Sequence, residues 1–296
     1  MLKSQPAHLT AVLQALLVTF LWATSWVLIK IGLKDIPALT FAGLRYSAAF
    51  LCLLPFALRA NHRVSLQSLS RRQWGSLLAL GLFLYAVTQG AQFLGLAYLP
   101  AVTVNLLLNF TTIIVMFLGM AFLAEQPTIL QWSGVGLSLA GMLVFFYPAA
   151  LPADQAFGVS VVVVGVLSNA LSAILGRRVN REGDLHPLIV TTISMGFGSL
   201  ALLTTGLLVQ GLPRLSLLNW AFIAWLAVVN TAVAFTLWNH TLRTLAALES
   251  SIINSTMLIH IPLLAWLFLG EPITIQKVVG MALAGLGALI VQTRRA

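Results

Sequence analysis

The sequence predicts an all-α integral membrane protein in which ten transmembrane helices form two inverted five-helix repeats. Three observations carry this. Hydrophobic residues make up 59% of the chain against 8% charged, with a mean hydropathy of +0.98, far outside the soluble globular range. The apolar residues fall in long continuous runs rather than in short alternating segments, which selects helices over a β-barrel. The stretch from Phe122 to Leu139 also returns from Phe268 to Gly285, 146 residues later in a chain of 296.

A bilayer core about 30 Å thick needs roughly 20 apolar residues per helix. Ten such spans lie at about 11–30, 38–58, 75–97, 101–123, 129–147, 158–176, 187–207, 220–240, 248–268 and 274–292. The first is a helix and not a signal peptide, because it carries Trp22, Trp26 and Lys30 and lacks a small-residue cleavage site. The second holds the lone Cys52, which excludes an intramolecular disulfide, and Arg45, the one arginine within a span. Arg45 sits about two turns from the outer end, in reach of snorkelling or of Asp35, and a structural role is expected. In the third span Tyr85, Gln89 and Gln92 share one face at i, i+4 and i+7, with Thr88 beside them. The fourth repeats the pattern with Asn105, Asn109 and Thr112.

The fifth and tenth spans follow Glu125 and Glu271, each with a proline (Pro127, Pro272) and then a threonine, which reads as a helix-start signal. Small residues four apart, Gly134 and Ser138, then Gly280 and Ala284, let these two spans approach a neighbour within the chain or in a second copy. Ser168, Asn169 and Ser172 mark the sixth span, and Pro187 opens the seventh as the counterpart of Pro37. The eighth offers Asn230 and Trp238. The ninth starts at Glu249 and carries Ser251, Asn254, Ser255 and His260.

A net charge of +9 would suggest nucleic acid in a soluble protein, but its distribution follows the positive-inside rule. With the N-terminus in the cytoplasm, eleven basic residues lie inside and Lys30, Lys34, Arg214 and Lys277 outside. Both termini are therefore expected to be cytoplasmic, the protein sitting in a bacterial inner membrane. Neither a nucleic-acid partner nor a cofactor is implied. There is no Cys/His cluster for a metal.

Twenty residues from Phe122 and from Phe268 share eight identities, where such a composition gives roughly two by chance. The same offset pairs Trp74 with Trp220 and Ala101 with Ala247, and a slightly longer one pairs Ser25 with Ser172. Residues 1–147 and 148–296 are thus read as two copies of one unit. Five crossings invert the chain, so the copies are related by an axis in the membrane plane, the arrangement that lets one site face either side in turn.

Ten helices in this order, the motifs LAEQPT (Leu123 to Thr128) and LGEPIT (Leu269 to Thr274), the Gly-rich helices after each, Arg45 and Pro262 together resemble the EamA family of the drug/metabolite transporter superfamily. In length and layout the chain is similar to its aromatic amino acid exporters. The resemblance implies a central cavity lined by spans 1, 3, 4, 6, 8 and 9, with spans 5 and 10 peripheral, and it implies export.

Polar side chains are costly in lipid and turn inward, to a cavity or to a neighbouring helix. The expected substrate-binding set is Trp22, Tyr85, Gln89, Gln92, Asn105, Asn109, Ser172, Asn230, Trp238, Asn254, Ser255 and His260. Each has a structural alternative: interhelical hydrogen bonds for the amides and hydroxyls, and an interfacial belt for Trp22. His260 and Glu249 are also candidates for proton or substrate coupling. His260 is otherwise a neutral, hydrogen-bonded imidazole and Glu249 a residue favoured in a first helical turn. This uncharged lining suits a neutral or zwitterionic solute such as an amino acid, with a lipophilic drug as the alternative and a channel further behind. An enzyme is disfavoured, since no HExxH, no GxSxG and no mid-membrane carboxylate pair occurs, and an ATP-driven pump by the lack of a phosphate-binding loop. The partners expected are the small solute and the bilayer, for a monomer or homodimer.

Overall fold

The computed structural model describes residues 5–59, 69–123, 126–147, 153–181, 185–241, 244–245 and 247–292. Its ten helices long and apolar enough to cross a membrane are α1 (His8–Gly32), α2 (Ala38–Ala57), α3 (Arg71–Tyr98), α4 (Ala101–Phe122), α5 (Ile129–Phe146), α6 (Gln155–Gly176), α7 (Pro187–Gln210), α8 (Leu217–Trp238), α9 (Ile252–Leu269) and α10 (Ile275–Gln292). No strand occurs among the described residues.

The helices start where local chemistry satisfies their first N–H groups. Ser70 with Gln73 and Thr128 with Gln131 form capping boxes, Ser216 accepts from the Asn219 N–H, and His186 precedes Pro187 at the first position of α7. Threonines, not glutamates, thus start α5 and α10, since Thr274 likewise accepts from the Lys277 N–H at 3.2 Å. Glu125 lies outside the described residues.

α5 and α10 pack on each other along a glycine seam. A Cβ on Gly134 would lie 2.7 Å from the Gly287 carbonyl, and one on Gly280 would lie 2.8 Å from that of Gly141. Ser138 donates to the carbonyl of Ala284, its own repeat mate, at 3.1 Å. A residue touching its mate marks where the two-fold axis passes. The small-residue contact left open by the sequence is therefore made within the chain. α2 and α7 pair in the same antiparallel manner, Gly43 against Leu203 and Gly206 against Thr40. The main core lies between these pairs, around Trp26, Phe41, Phe93, Leu106 and Ile261.

Two irregularities obey the repeat. α3 and α8 each contain a π-helical segment, Leu82–Thr88 and Val228–Val233, whose starts are 146 residues apart (228 minus 82). α4 and α9 are each interrupted by one residue, Phe110 between Ala101–Asn109 and Thr111–Leu123, and Thr256 between Ala247–Ser255 and Met257–Leu269, again 146 apart (256 minus 110). Both turns tighten in the same way. Phe110 donates to the Leu107 carbonyl and Thr256 to that of Ile253, each at 3.1 Å, at φ, ψ of −65°, −14° and −61°, −18°. Irregular helix at matching positions in two halves points to a binding site.

Candidate functional site

The interruptions are tied into the bundle by short polar side chains. Asn105 of α4, buried, donates to the Met257 carbonyl just past the α9 break at 3.4 Å. Asn169 of α6 donates to Thr111 beside the α4 break at 3.3 Å, and Thr19 of α1 meets Thr256 of the α9 break at 3.3 Å. α6 thus braces the break in one half and its repeat mate α1 braces the other. Asn109 and Ser255, the residues just before the breaks, are half-buried. Asn254 is exposed, on the opposite side of buried Ile253 from Ile252. The side chain of Ser251 lies outside the described residues.

A second group sits where α1 meets α8. The π segment turns Asn230 fully inside, where its amide donates to the Leu21 carbonyl and to Thr24 at 3.2 Å while its carbonyl oxygen has no partner. Trp22 stacks against Phe235 and Trp238, with centroids 5.2 and 5.3 Å apart, and its buried indole N–H is also unpartnered. Leaving a buried polar atom unpaired costs about 1–3 kcal/mol. An aromatic wall with unused donors and acceptors can orient a solute that has one apolar face.

The α3 stripe divides. Tyr85, inside the π segment, is buried against Tyr46 of α2 at 5.7 Å, whereas Gln89 and Gln92 remain half-buried. Ser172 is buried and donates to the Asn169 carbonyl in its own helix at 2.8 Å. His260 stands edge-on to Phe20 at 5.9 Å, on the α1–α9 seam, with its buried Nδ1 unpartnered. Phe20 is 45% exposed on the same face as Leu13 and Leu17, so His260 borders the outer surface of the bundle. Glu249 lies at the far end of α9 and bonds His8 at 2.9 Å. The sequence reading did not single out His8, Thr19, Thr111 or Thr231. Comparison of repeat mates would have marked Thr231, the counterpart of Tyr85 (231 minus 146).

The opposite end is fastened by charges. Gly270, in the left-handed conformation (φ 68°), ends α9 and turns the chain so that the Glu271 carboxylate accepts the Ala101 and Val102 N–H groups at 2.7 and 3.2 Å. Lys30 donates to the Leu96 and Leu99 carbonyls at 2.5 and 2.6 Å. An anion on the N-terminus of α4 and a cation on the C-terminus of α3 both oppose the helix dipoles and clamp the α3–α4 turn. Glu271, read from sequence as a start signal for α10, caps α4 instead. Its motif partners that turn the chain are local, but its acceptor role depends on a contact 170 residues away.

An apolar cleft of about 500 Å³ lies apart from these groups, between α2 and α7 and lined by Phe50, Leu54, Trp74, Thr192 and Phe197. None of the expected binding residues lines it. No group of three or more His, Cys, Asp or Glu able to hold a metal occurs among the described residues.

Ten spanning helices in two inverted halves, with matched interruptions, define a multi-pass membrane protein of the inverted-repeat class. The EamA-like transporter family matches residues 9–147 and 156–293, and the chain belongs to that family. It is 27% identical to the uncharacterized transporter YvbV of Bacillus subtilis over 99% of this chain and 94% of that one, and 26% identical to YoaV of the same organism over 90% and 91%. The uncharacterized inner membrane transporter YedA of Escherichia coli is 24% identical over 75% of this chain and 71% of its own. A crystal structure 16% identical in sequence superposes with a TM-score of 0.67, covering 96% of this chain and 97% of that one, a likeness of fold.

Proposed function

We propose that the protein is a secondary active transporter that exports small neutral or zwitterionic metabolites, such as amino acids, by alternating access. The carrying observation is the matched interruption of α4 and α9 at Phe110 and Thr256, with Asn109 and Ser255 beside the breaks and Asn105 joining the two helices. Two half-helices meeting from opposite halves give a site that both halves can open, which a channel does not need. Gln89, Gln92, Asn109, Asn230, Asn254 and Ser255 supply amide and hydroxyl contacts, and Trp22 with Trp238 the apolar wall. The eleven-to-four division of basic residues supports an inner-membrane protein with both termini cytoplasmic. The contact of α5 with α10 along their small-residue seam supports a monomer over a homodimer built on that seam.

Counterflow in proteoliposomes tests this reading. Unlabelled amino acid inside should accelerate uptake of the labelled one. Flux that is indifferent to the trans side would identify a pore and remove the carrier mechanism.

A further inference from the structure

Arg45 is the least expected group in the bundle. Its side chain is only 4% exposed, and it reaches from α2 between α3 and α8. It neither snorkels nor meets Asp35, which stays exposed in the α1–α2 turn. Among the described residues no carboxylate pairs with it: Glu249 bonds His8, and Glu271 caps α4. Its Nε–H donates to Thr231 at 3.2 Å, and the Tyr46 and Phe93 rings lie 5.1 and 5.9 Å from its guanidinium carbon. The Thr231 hydroxyl is itself aimed at the Leu226 carbonyl five residues back, at 2.8 Å, so a lone pair faces Arg45. The π segment of α8 makes that five-residue reach possible. Ring faces and a hydroxyl orient the guanidinium without cancelling its charge.

A guanidinium keeps its charge in proteins and has five N–H donors, of which one is used here. The other four reach no acceptor among the described residues. A charge held inside a membrane bundle without a counter-ion is functional by default. We propose that Arg45 is the anchor for a carboxylate on the transported solute, received as a bidentate pair by the terminal nitrogens where the side chain enters the bundle between α3 and α8. A carboxylate is favoured over a phosphate, because one guanidinium balances one negative charge and Lys30 is already committed to the α3 carbonyls. The proposal rests on the transport reading above and narrows it to solutes that carry a carboxylate.

The test uses the purified full chain with the proteinogenic L-amino acids as probes, each beside its methyl ester, read as thermal stabilisation in detergent and as counterflow in proteoliposomes. In the wild type at least one acid should act at about a tenfold lower concentration than its ester. Arg45→Gln should treat acid and ester alike. Should Arg45→Gln not fold, Thr231→Val keeps the charge but frees the guanidinium, and should lower the acid preference about threefold. An acid preference absent from the wild type, or unchanged in both variants, overturns the anchor. Counterflow of acid and ester at equal rates overturns the anchor and upholds transport, whereas acid-selective stabilisation without counterflow upholds the anchor and overturns transport.

Discussion

The α5–α10 seam and the α4–α9 interruptions are both built from repeat mates, yet they use the duplication in opposite ways. Along the seam the sequence copies match, glycine meets glycine, and Ser138 bonds its own counterpart Ala284. Around the interruptions and in the π segments the backbone matches while the side chains diverge: Asn109 against Ser255 and Ile114 against His260, then Tyr85 against Thr231. Close packing needs identical small residues on both sides of an axis. A binding site for an asymmetric solute needs the same hinge geometry with different chemistry on either side. Duplication supplied the first, and divergence within an unchanged backbone is what the proposed site requires.

The sharpest way to break this contrast is to crowd the seam. Gly134→Leu drives a side chain into the Gly287 carbonyl and should cost about 3 kcal/mol, read as a large fall in melting temperature and in monodisperse yield, with the solute preference of any surviving protein unaltered. A wild-type melting curve would show that the seam is loose. Next in size is the cap on α4: Glu271→Ala leaves the Ala101 and Val102 N–H groups without their carboxylate and should destabilise by about 1–2 kcal/mol, with Glu271→Gln recovering part of the loss. At the site itself, Asn109→Ala and Gln89→Ala should each lower transport about tenfold while expression and melting stay unchanged, a loss equivalent to about 1.4 kcal/mol. Wild-type rates in both would remove them from the site. The smallest effect belongs to His8→Ala, since the His8–Glu249 pair is 40% and 42% exposed; a stability change of about 0.5 kcal/mol or less is expected by thermal melting.

Much of the fold was legible because it is written in composition. Ten spans follow from the length of apolar runs, and inversion follows from an odd span count in each repeat. The interruptions were not legible, for a physical reason: neither Phe110 nor Thr256 is a helix breaker, and Pro262 sits six residues beyond the α9 break with Met116 as its mate. Contacts with α1 and α6, at Thr19–Thr256 and Asn169–Thr111, meet these turns from elsewhere in the chain, where sequence periodicity does not register them. The π segments are silent in sequence for the same reason, although they decide that Tyr85 packs on Tyr46 and Thr231 on Arg45. Polar residues could be picked out by their cost in lipid, but that rule does not separate a side chain facing the interior, such as Asn230, from one on the outer seam, such as His260.

Accessibility at the interruptions gives the most direct trial of a central site reached from both sides. With the lone Cys52 replaced by serine, single cysteines at positions 109 and 255 can be exposed to a membrane-impermeant thiol reagent on either face of oriented vesicles. Both positions should be labelled from both faces, and transported solute should protect them. Labelling confined to one face at each position, unmoved by solute, would contradict a shared site that the two halves open in turn.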